Sequence, residues 1–378
     1  MTVDAVLAPP VKISCSRDEL VRVLGLVGRA VSTRGSVQIL GGLLLRVDEA
    51  KVLVAATDME MSLRVHAEAT VEGGGSVVVP GRLLVDIVRL LPAGDVTLEY
   101  DAEERTLQIT CASASYRLNT YRAEDYPRLP DVGSDSLVTV SRQALLETIA
   151  RVSRAASRDE SRPVLTGILV RLAGPSLVMA ATDSYRLAVK ETRLEQDVGR
   201  ELEAIVPARA LGELARIAQA SEAEGVAIGV QENQIVFVVD GVVLTARLID
   251  GQFPNYRQLK PEGFEVEVRL SRDEILDAVR RVGVMAQRNA PLRMRFEEGE
   301  LVVQAQAQDI GEARESLPIS YTGDVMEIGF NPDFLREGFE SVPEQEVRMK
   351  LITPLRPGLI TGEGDDFWYL IMPIRLAG

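Results

Sequence analysis

SRDELVRVLGLVGRAVS at residues 16–32 returns as SRQALLETIARVSRAAS at 141–157 and as SRDEILDAVRRVGVMAQ at 271–287. Each segment opens with a serine suited to an N-cap. In the first and third a glutamate follows three residues later, the spacing of a capping box. Behind it apolar side chains recur at helical intervals: Leu20, Val23, Leu24 and Val27 in the first copy, Leu145, Ile149 and Val152 in the second. The spacing predicts three amphipathic helices at equivalent places in a repeating chain.

Other echoes keep the same interval. Ala55-Ala56-Thr57-Asp58 recurs 125 residues on as Ala180-Ala181-Thr182-Asp183, and faintly as Gln306-Ala307-Gln308-Asp309. Pro80, Pro207 and Pro332 each stand just before a second helical pattern, at 77–91, 204–218 and 328–342, where a missing N–H costs little. The copies close on related segments at 121–130, 248–261 and 369–376. Alternating stretches between the helices, such as Gly42–Val47, Lys51–Ala55, Val96–Tyr100, Leu107–Cys111 and Ile235–Val239, read as strands. So long a period is not that of a solenoid unit, and each copy reads as a domain. The expected class is α+β, with two helices packed on one face of mostly antiparallel sheet in each domain. Turn-rich joints at 131–136 and 260–263 give domains at 11–133, 134–262 and 263–378 after a loose N-terminus at 1–10.

The 378 residues carry 42 Lys and Arg against 56 Asp and Glu, a formal charge of −14. The surface as a whole should repel nucleic acid and anionic lipid unless arginine is concentrated locally. Two cysteines (Cys15, Cys111) and one histidine (His66) are too few soft ligands for a zinc or iron–sulfur site, and they fit a reducing cytoplasm. No metal or cofactor is expected. No apolar run nears 18 residues, and MTVDAVLAPP has neither a basic start nor a long apolar stretch, so no membrane span or secretion signal is expected.

Acidic clusters at Asp58/Glu60, Asp183 and Asp365/Asp366 invite a nuclease reading. Asp58 and Asp183 fall in a repeated turn, where Asp ordinarily caps backbone N–H groups, and Asp365/Asp366 reads as a loop tip. Gly73-Gly74-Gly75 lacks the Lys-Ser/Thr of a phosphate loop and resembles a hairpin connection. His66 is read as a strand residue, and Cys15 and Cys111 as small apolar fillers. A repeat scaffold that binds proteins only is the remaining rival.

From about Val11 to Leu376 the chain resembles the bacterial DNA polymerase III beta subunits, the replicative sliding clamps. The carriers are the threefold helix pattern, Ala56-Thr57-Asp58 and Ala181-Thr182-Asp183, the segment Asp250-Gly251-Gln252-Phe253-Pro254-Asn255-Tyr256, and the ending Tyr369-Leu370-Ile371-Met372-Pro373-Ile374-Arg375-Leu376. The resemblance implies three clamp domains and a head-to-tail homodimer, closed into a six-domain ring with helices inside and sheets outside. Such a ring encircles double-stranded DNA without reading its sequence and tethers the replicative polymerase as a non-catalytic processivity factor. Twelve lining helices at spacings of ~8–10 Å would leave a hole of roughly 22–28 Å. A duplex at least ~16 Å across fits it.

Arginine placement bears on that implication. Arg82 and Arg89 stand seven apart on one helix face, and Arg209 and Arg216 repeat the pair. In the first helices Arg17, Arg142 and Arg272 are equivalent, as are Arg29 and Arg154. Such a stripe suits DNA phosphates inside a ring, although the same spacing also suits ordinary solvated faces. The third copy departs, with Asp333, Arg336, Glu337 and Glu340 on its second helix. The resemblance adds DNA contacts on loops after the first helices, matching Arg34, Arg158 and Arg162, with Arg288 in the third copy.

The resemblance also implies a groove between the second and third domains. It would take short peptides, with a glutamine and a leucine–phenylalanine end, from polymerase, clamp loader, repair proteins and translesion polymerases. The matching positions in the second domain are Leu165, Thr182, Ser184, Tyr185, Leu187, Pro254, Gln258 and Leu259. In the third they are Asn331, Phe334, Leu355, Pro357, Ile371, Met372, Pro373, Ile374 and Arg375. Ser184 and Tyr185 stand where other members often have Gly and His, and Gln258 where some have Arg. At the dimer seam, Tyr116 and Leu118 would meet Val284 and Met285 of a second copy.

Overall fold

The computed structural model of the chain describes residues 11–376 apart from 34–36, 49–50, 131–132, 134–136, 196, 198, 200, 287–289 and 308–310. The first copy runs β1 (Val11–Ser16), α1 (Arg17–Val27), β2 (Gly42–Asp48), β3 (Lys51–Thr57), β4 (Met61–Ala67), β5 (Thr70–Glu72), β6 (Gly75–Pro80), α2 (Gly81–Leu90), β7 (Asp95–Asp101), β8 (Thr106–Cys111) and β9 (Ala114–Asn119). The second runs β10 (Val138–Ser141), α3 (Arg142–Val152), the single turn α4 (Pro163–Thr166), β11 (Gly167–Ala173), β12 (Ser176–Thr182), β13 (Arg186–Arg193), β14 (Leu202–Pro207), α5 (Ala208–Gln219), β15 (Gly225–Gln231), β16 (Gln234–Val239) and β17 (Val242–Arg247). The third runs β18 (Val266–Ser271), α6 (Arg272–Gly283), β19 (Leu292–Glu297), β20 (Glu300–Ala307), β21 (Gly311–Pro318), β22 (Met326–Phe330), α7 (Pro332–Glu340), β23 (Glu346–Leu351), β24 (Gly358–Thr361) and β25 (Phe367–Ile371). The α+β repeat read from the sequence is there three times.

The sheets do not follow the copies. One eight-stranded sheet, β10-β15-β16-β17-β4-β3-β2-β6, joins four strands of the second copy to four of the first. Another, β14-β11-β12-β13-β25-β24-β23-β18, joins four of the second to four of the third. The joints, β17 on β4 and β25 on β13, are antiparallel ladders. The remaining strands form β5-β1-β7-β8-β9 and β21-β20-β19-β22, with β9 and β21 at their edges. Residues 1–142 with 213–247 accordingly make one compact unit, and 143–212 with 248–378 a second. This division cuts the middle copy because its two half-sheets belong to different ladders. Gly73–Gly75 is not a hairpin: it links β5, paired with β1, to β6, paired with β2 in another sheet.

The helices bury the stripes that their periodicity predicts: Leu20, Val23, Leu24 and Val27 on α1, and Leu145, Ile149 and Val152 on α3, are at most 2 % exposed. Of the capping boxes, only half of one forms. Ser16 Oγ accepts from the Glu19 N–H at 3.2 Å, but the Glu19 carboxylate turns to Arg22 and to the Glu68 N–H instead of returning to the cap. Ser271 makes no side-chain cap bond.

The three equivalent arginines that open α1, α3 and α6 do something their sequence position did not announce. Arg17 Nη2 donates to the Arg89 carbonyl at 2.8 Å, Arg142 Nη1 to the Ala218 and Ser221 carbonyls at 3.0 and 2.6 Å, and Arg272 Nε to the Val342 carbonyl at 2.6 Å. Each satisfies carbonyls at the C-terminal end of the second helix in its copy, where a cation also complements the helix dipole. Beside the stripe expected of them, these arginines tie helix to helix.

Candidate functional site

A groove of about 270 Å³ opens on one face of the β14–β18 sheet, within the second unit. Its floor is the cross-strand pair Leu187 and Leu370, with Thr182, Ser184, Arg186, Pro254, Tyr256, Leu259, Pro357 and Met372 around them. Leu187 and Leu370 are buried against Leu169, Val189, Tyr256 and Trp368, while Leu259 and Met372 keep about half their surface exposed. Flexible apolar side chains standing open around a rigid floor suit an apolar anchor from another chain.

The turn between β12 and β13 builds the rim. Asp183 Oδ1 accepts the N–H groups of Tyr185 and Arg186 at 2.9 and 3.0 Å, the capping role its sequence context suggests; Asp58 does the same for Glu60 and Met61. Thr182 Oγ1 donates to the Arg186 carbonyl and accepts from the Ser184 N–H. Ser184 sits at φ 79°, a conformation that favours glycine, and its Oγ accepts from Arg162 Nη1 at 3.0 Å. Arg162, expected on DNA, thus stands at the groove rim, held also by Asp159 at 3.1 Å. Arg158 is exposed on the same loop.

Arg186 anchors this corner. Its Nε donates to Asp183 Oδ2 at 3.0 Å, its other nitrogens reach Glu337 on α7 and the Arg154 carbonyl, and its guanidinium lies 4.3 Å from the centre of the Phe334 ring. The side chain is only 9 % exposed. Tyr369, beneath it, donates to the Phe334 carbonyl at 2.9 Å, and burial raises its hydroxyl above the usual phenol range.

Of the positions expected in the groove, Thr182, Ser184, Leu187, Pro254, Leu259, Pro357 and Met372 line it. Leu165 is buried beside it, its carbonyl accepting from the Ser157 N–H. Asn331 caps α7 through its side chain, Phe334 supports Arg186, and the Ile374 N–H bonds the Gly329 carbonyl. Tyr185, Gln258, Leu355 and Arg375 are exposed outside the lining, and Pro373 is half-buried. Ile371 is fully buried and points into the core, because strand alternation sends Leu370 and Met372 to the groove side instead. Arg186, Tyr256 and Leu370 were missed. Alternation back from Met372 was the signal for Leu370, and a charged residue where the first copy has Met61 was the signal for Arg186.

Arg82 and Arg89 are exposed on α2, and Arg209 and Arg216 on α5. Arg216 pairs with the buried Glu213, which Arg29 also approaches at 3.6 Å. Counted from the helix start, α7 carries Asp333 and Glu340 where α2 and α5 carry these arginines. Arg154, Arg280 and Arg336 all bridge to Glu340, and Arg336 to Asp333. Burial pushes the Glu340 carboxyl upward, but hydrogen bonds from Arg280 and Arg154 outweigh it and hold it below the ordinary range. The acid on α7 is therefore largely neutralised from within. Arg34 and Arg288 lie outside the described residues.

Tyr116 on β9 is 39 % exposed and Val284 after α6 is 82 % exposed, whereas Leu118 is buried within its own chain and Met285 is half-buried. Among the described residues no three His, Cys, Asp or Glu side chains group as a metal site would, and no helix is long and apolar enough to cross a membrane. Cys15 and Cys111 are buried and unbridged; burial pushes the Cys15 thiol up to about 11.

Three family models match the chain in order: the N-terminal domain of the DNA polymerase III beta subunit over residues 11–130, its central domain over 139–255 and its C-terminal domain over 257–375. The beta sliding clamp of Streptomyces coelicolor is 34 % identical, with 97 % of this chain and 100 % of that one covered. The structure of a DNA polymerase III beta subunit from Eubacterium rectale matches with a TM-score of 0.92 at 26 % identity, over 97 % of this chain and 100 % of that one. A C. crescentus sliding clamp, with polyethylene glycol in the region assigned to β-motif tethering, matches with a TM-score of 0.91 at 28 % identity, over 97 % and 99 %. With its three clamp domains in sequence and its likeness running from end to end, the chain belongs to the DNA polymerase III beta subunit family, the sliding clamps that act as processivity factors in DNA replication.

Proposed function

We propose that two copies of this chain close head to tail around duplex DNA, and that the groove tethers short peptide segments of the proteins that work on that DNA. One observation carries the ring. The last strand of the second copy pairs with the first, as β17 on β4, and the last strand of the third copy pairs with the second, as β25 on β13. Continuing the pattern leaves β9 and β21 as the two halves of a third such joint. Within one chain these are sheet edges, and long exposed edges invite pairing with another chain. A first-copy edge meeting a third-copy edge is a heterologous contact, which closes into a ring when the rotation allows. Tyr116 and Val284 supply exposed apolar surface for it, beside Met285, and Leu118 contributes through its backbone. The clamp domains in this reading are 11–133, 134–262 and 263–378.

DNA would be held by enclosure and by sequence-independent phosphate contact from Arg82, Arg89, Arg209, Arg216 and Arg158, together with Arg34, which follows the first helix in sequence. Arg162 serves the groove rim. The tethered partners are the replicative polymerase, the clamp loader, and repair and translesion polymerases; the protein itself catalyses nothing and works in the cytoplasm. The test compares retention on linear DNA with free ends against the same DNA with both ends blocked, at low salt. Threading needs an end, so retention on the free-ended DNA alone is expected. Equal retention on both would mean ordinary surface contact and would sink the ring.

Met372→Ala tests the groove. Losing its exposed thioether should weaken a peptide with glutamine and a leucine–phenylalanine end by about 1.5–2.3 kcal/mol, roughly 10–50-fold in Kd, while the dimer persists. Unchanged affinity by calorimetry would refute the assignment.

A further inference from the structure

The strand pair that floors the groove has a counterpart in the other unit. Leu187 faces Leu370 where β13 meets β25, and Ser62 faces Thr245 where β4 meets β17. The frames coincide bond for bond. Met372 N–H donates to the Tyr185 carbonyl at 2.8 Å, and Arg247 N–H to the Glu60 carbonyl at 2.8 Å. Thr182 Oγ1 donates to the Arg186 carbonyl, and Thr57 Oγ1 to the Met61 carbonyl. Ser184 and Met59 hold the same turn position at φ 79° and 76°.

The side chains on the groove face differ in kind. Leu187, Leu370 and Met372 become Ser62, Thr245 and Arg247. Ser62 and Thr245 are buried and hydrogen-bonded to each other through their hydroxyls. Two hydroxyls carry two donors, and their mutual bond uses one. An apolar anchor laid over them would cut the second donor off from water and would gain no apolar contact from the floor. Arg247, exposed where Met372 stands in the groove, would also have to shed water beneath such an anchor. On β9 the hairpin register brings Arg117 to this place. Of the two joints described within the chain, one has the apolar floor.

We propose that Ser62, Thr245 and Arg247 are specificity-determining residues that exclude partner peptides from the first joint and so confine them to one groove per chain. This rests on the groove being the peptide site. The test is isothermal titration of the full-length chain with a synthetic peptide containing glutamine and ending in leucine–phenylalanine. The unaltered chain should bind one peptide per chain. Ser62→Leu/Thr245→Leu/Arg247→Met should bind two, and the added site should keep its affinity when Met372→Ala weakens the first. Ser62→Ala/Thr245→Val removes both hydroxyls at little change in volume and should add a weaker second site; it decides the matter alone if circular dichroism shows the leucine variant unfolded. One peptide per chain in every folded variant overturns the proposal. If the unaltered chain binds no peptide, or if Met372→Ala leaves its binding unchanged, the groove reading fails and takes this proposal with it.

Discussion

Tyr116→Glu combined with Val284→Glu is expected to leave the protein as single chains where the unaltered protein sediments as a pair. Both side chains are exposed on the isolated chain, so neither change should disturb folding by more than about 0.5 kcal/mol. In the proposed joint they put carboxylates into a contact that loses its water. A buried charge without a partner costs about 3–5 kcal/mol, which weakens association roughly 10²–10³-fold or more. Sedimentation equilibrium reads the mass directly, and retention on free-ended DNA should vanish with the dimer. A variant that keeps the mass of two chains would mean that β9 and β21 do not meet where we propose.

Arg186→Met should carry a large stability loss for a change of one polar side chain near the groove. It leaves Asp183 and Glu337 facing each other without the guanidinium that joins them, and frees the Arg154 carbonyl. The two carboxylates keep 12 % and 23 % of their side-chain surface, so water softens the penalty to about 3 kcal/mol, the low end for a broken buried pair. That is roughly 6–12 °C in the melting of the second unit. Adding Glu337→Gln to Arg186→Met should recover part of the loss, since it removes one of the stranded charges. No recovery in a double-mutant cycle would show that Arg186 acts through packing on Phe334 rather than through charge.

How much of this was legible beforehand depended on which force set each feature. The helices were readable because an apolar stripe at helical spacing has few other uses, and Leu20, Val23 and Leu24 are buried as their spacing required. The strands were readable for the same reason, through alternation. The groove was readable only in part. Thr182, Leu187 and Met372 could be matched position by position, but whether Leu370 or Ile371 faces outward depends on the register of β25 against β13, which no local pattern states. Polar side chains were the least readable. Arg17, Arg142, Arg272 and Arg162 all looked like surface charge, and each finds its acceptor in a segment distant in sequence or across a turn. The choice between solvent, phosphate and carbonyl is made by tertiary neighbours, not by helical spacing.

The mismatch between copies and sheets has a consequence for cooperativity. A copy cut from the chain at its sequence joints would carry two half-sheets, each with a bare ladder edge where its neighbour's strands belong. The unit that repeats in the gene is therefore not the unit that melts. Unfolding should proceed by ladders, so that the middle copy comes apart in two halves, each leaving with a different neighbour.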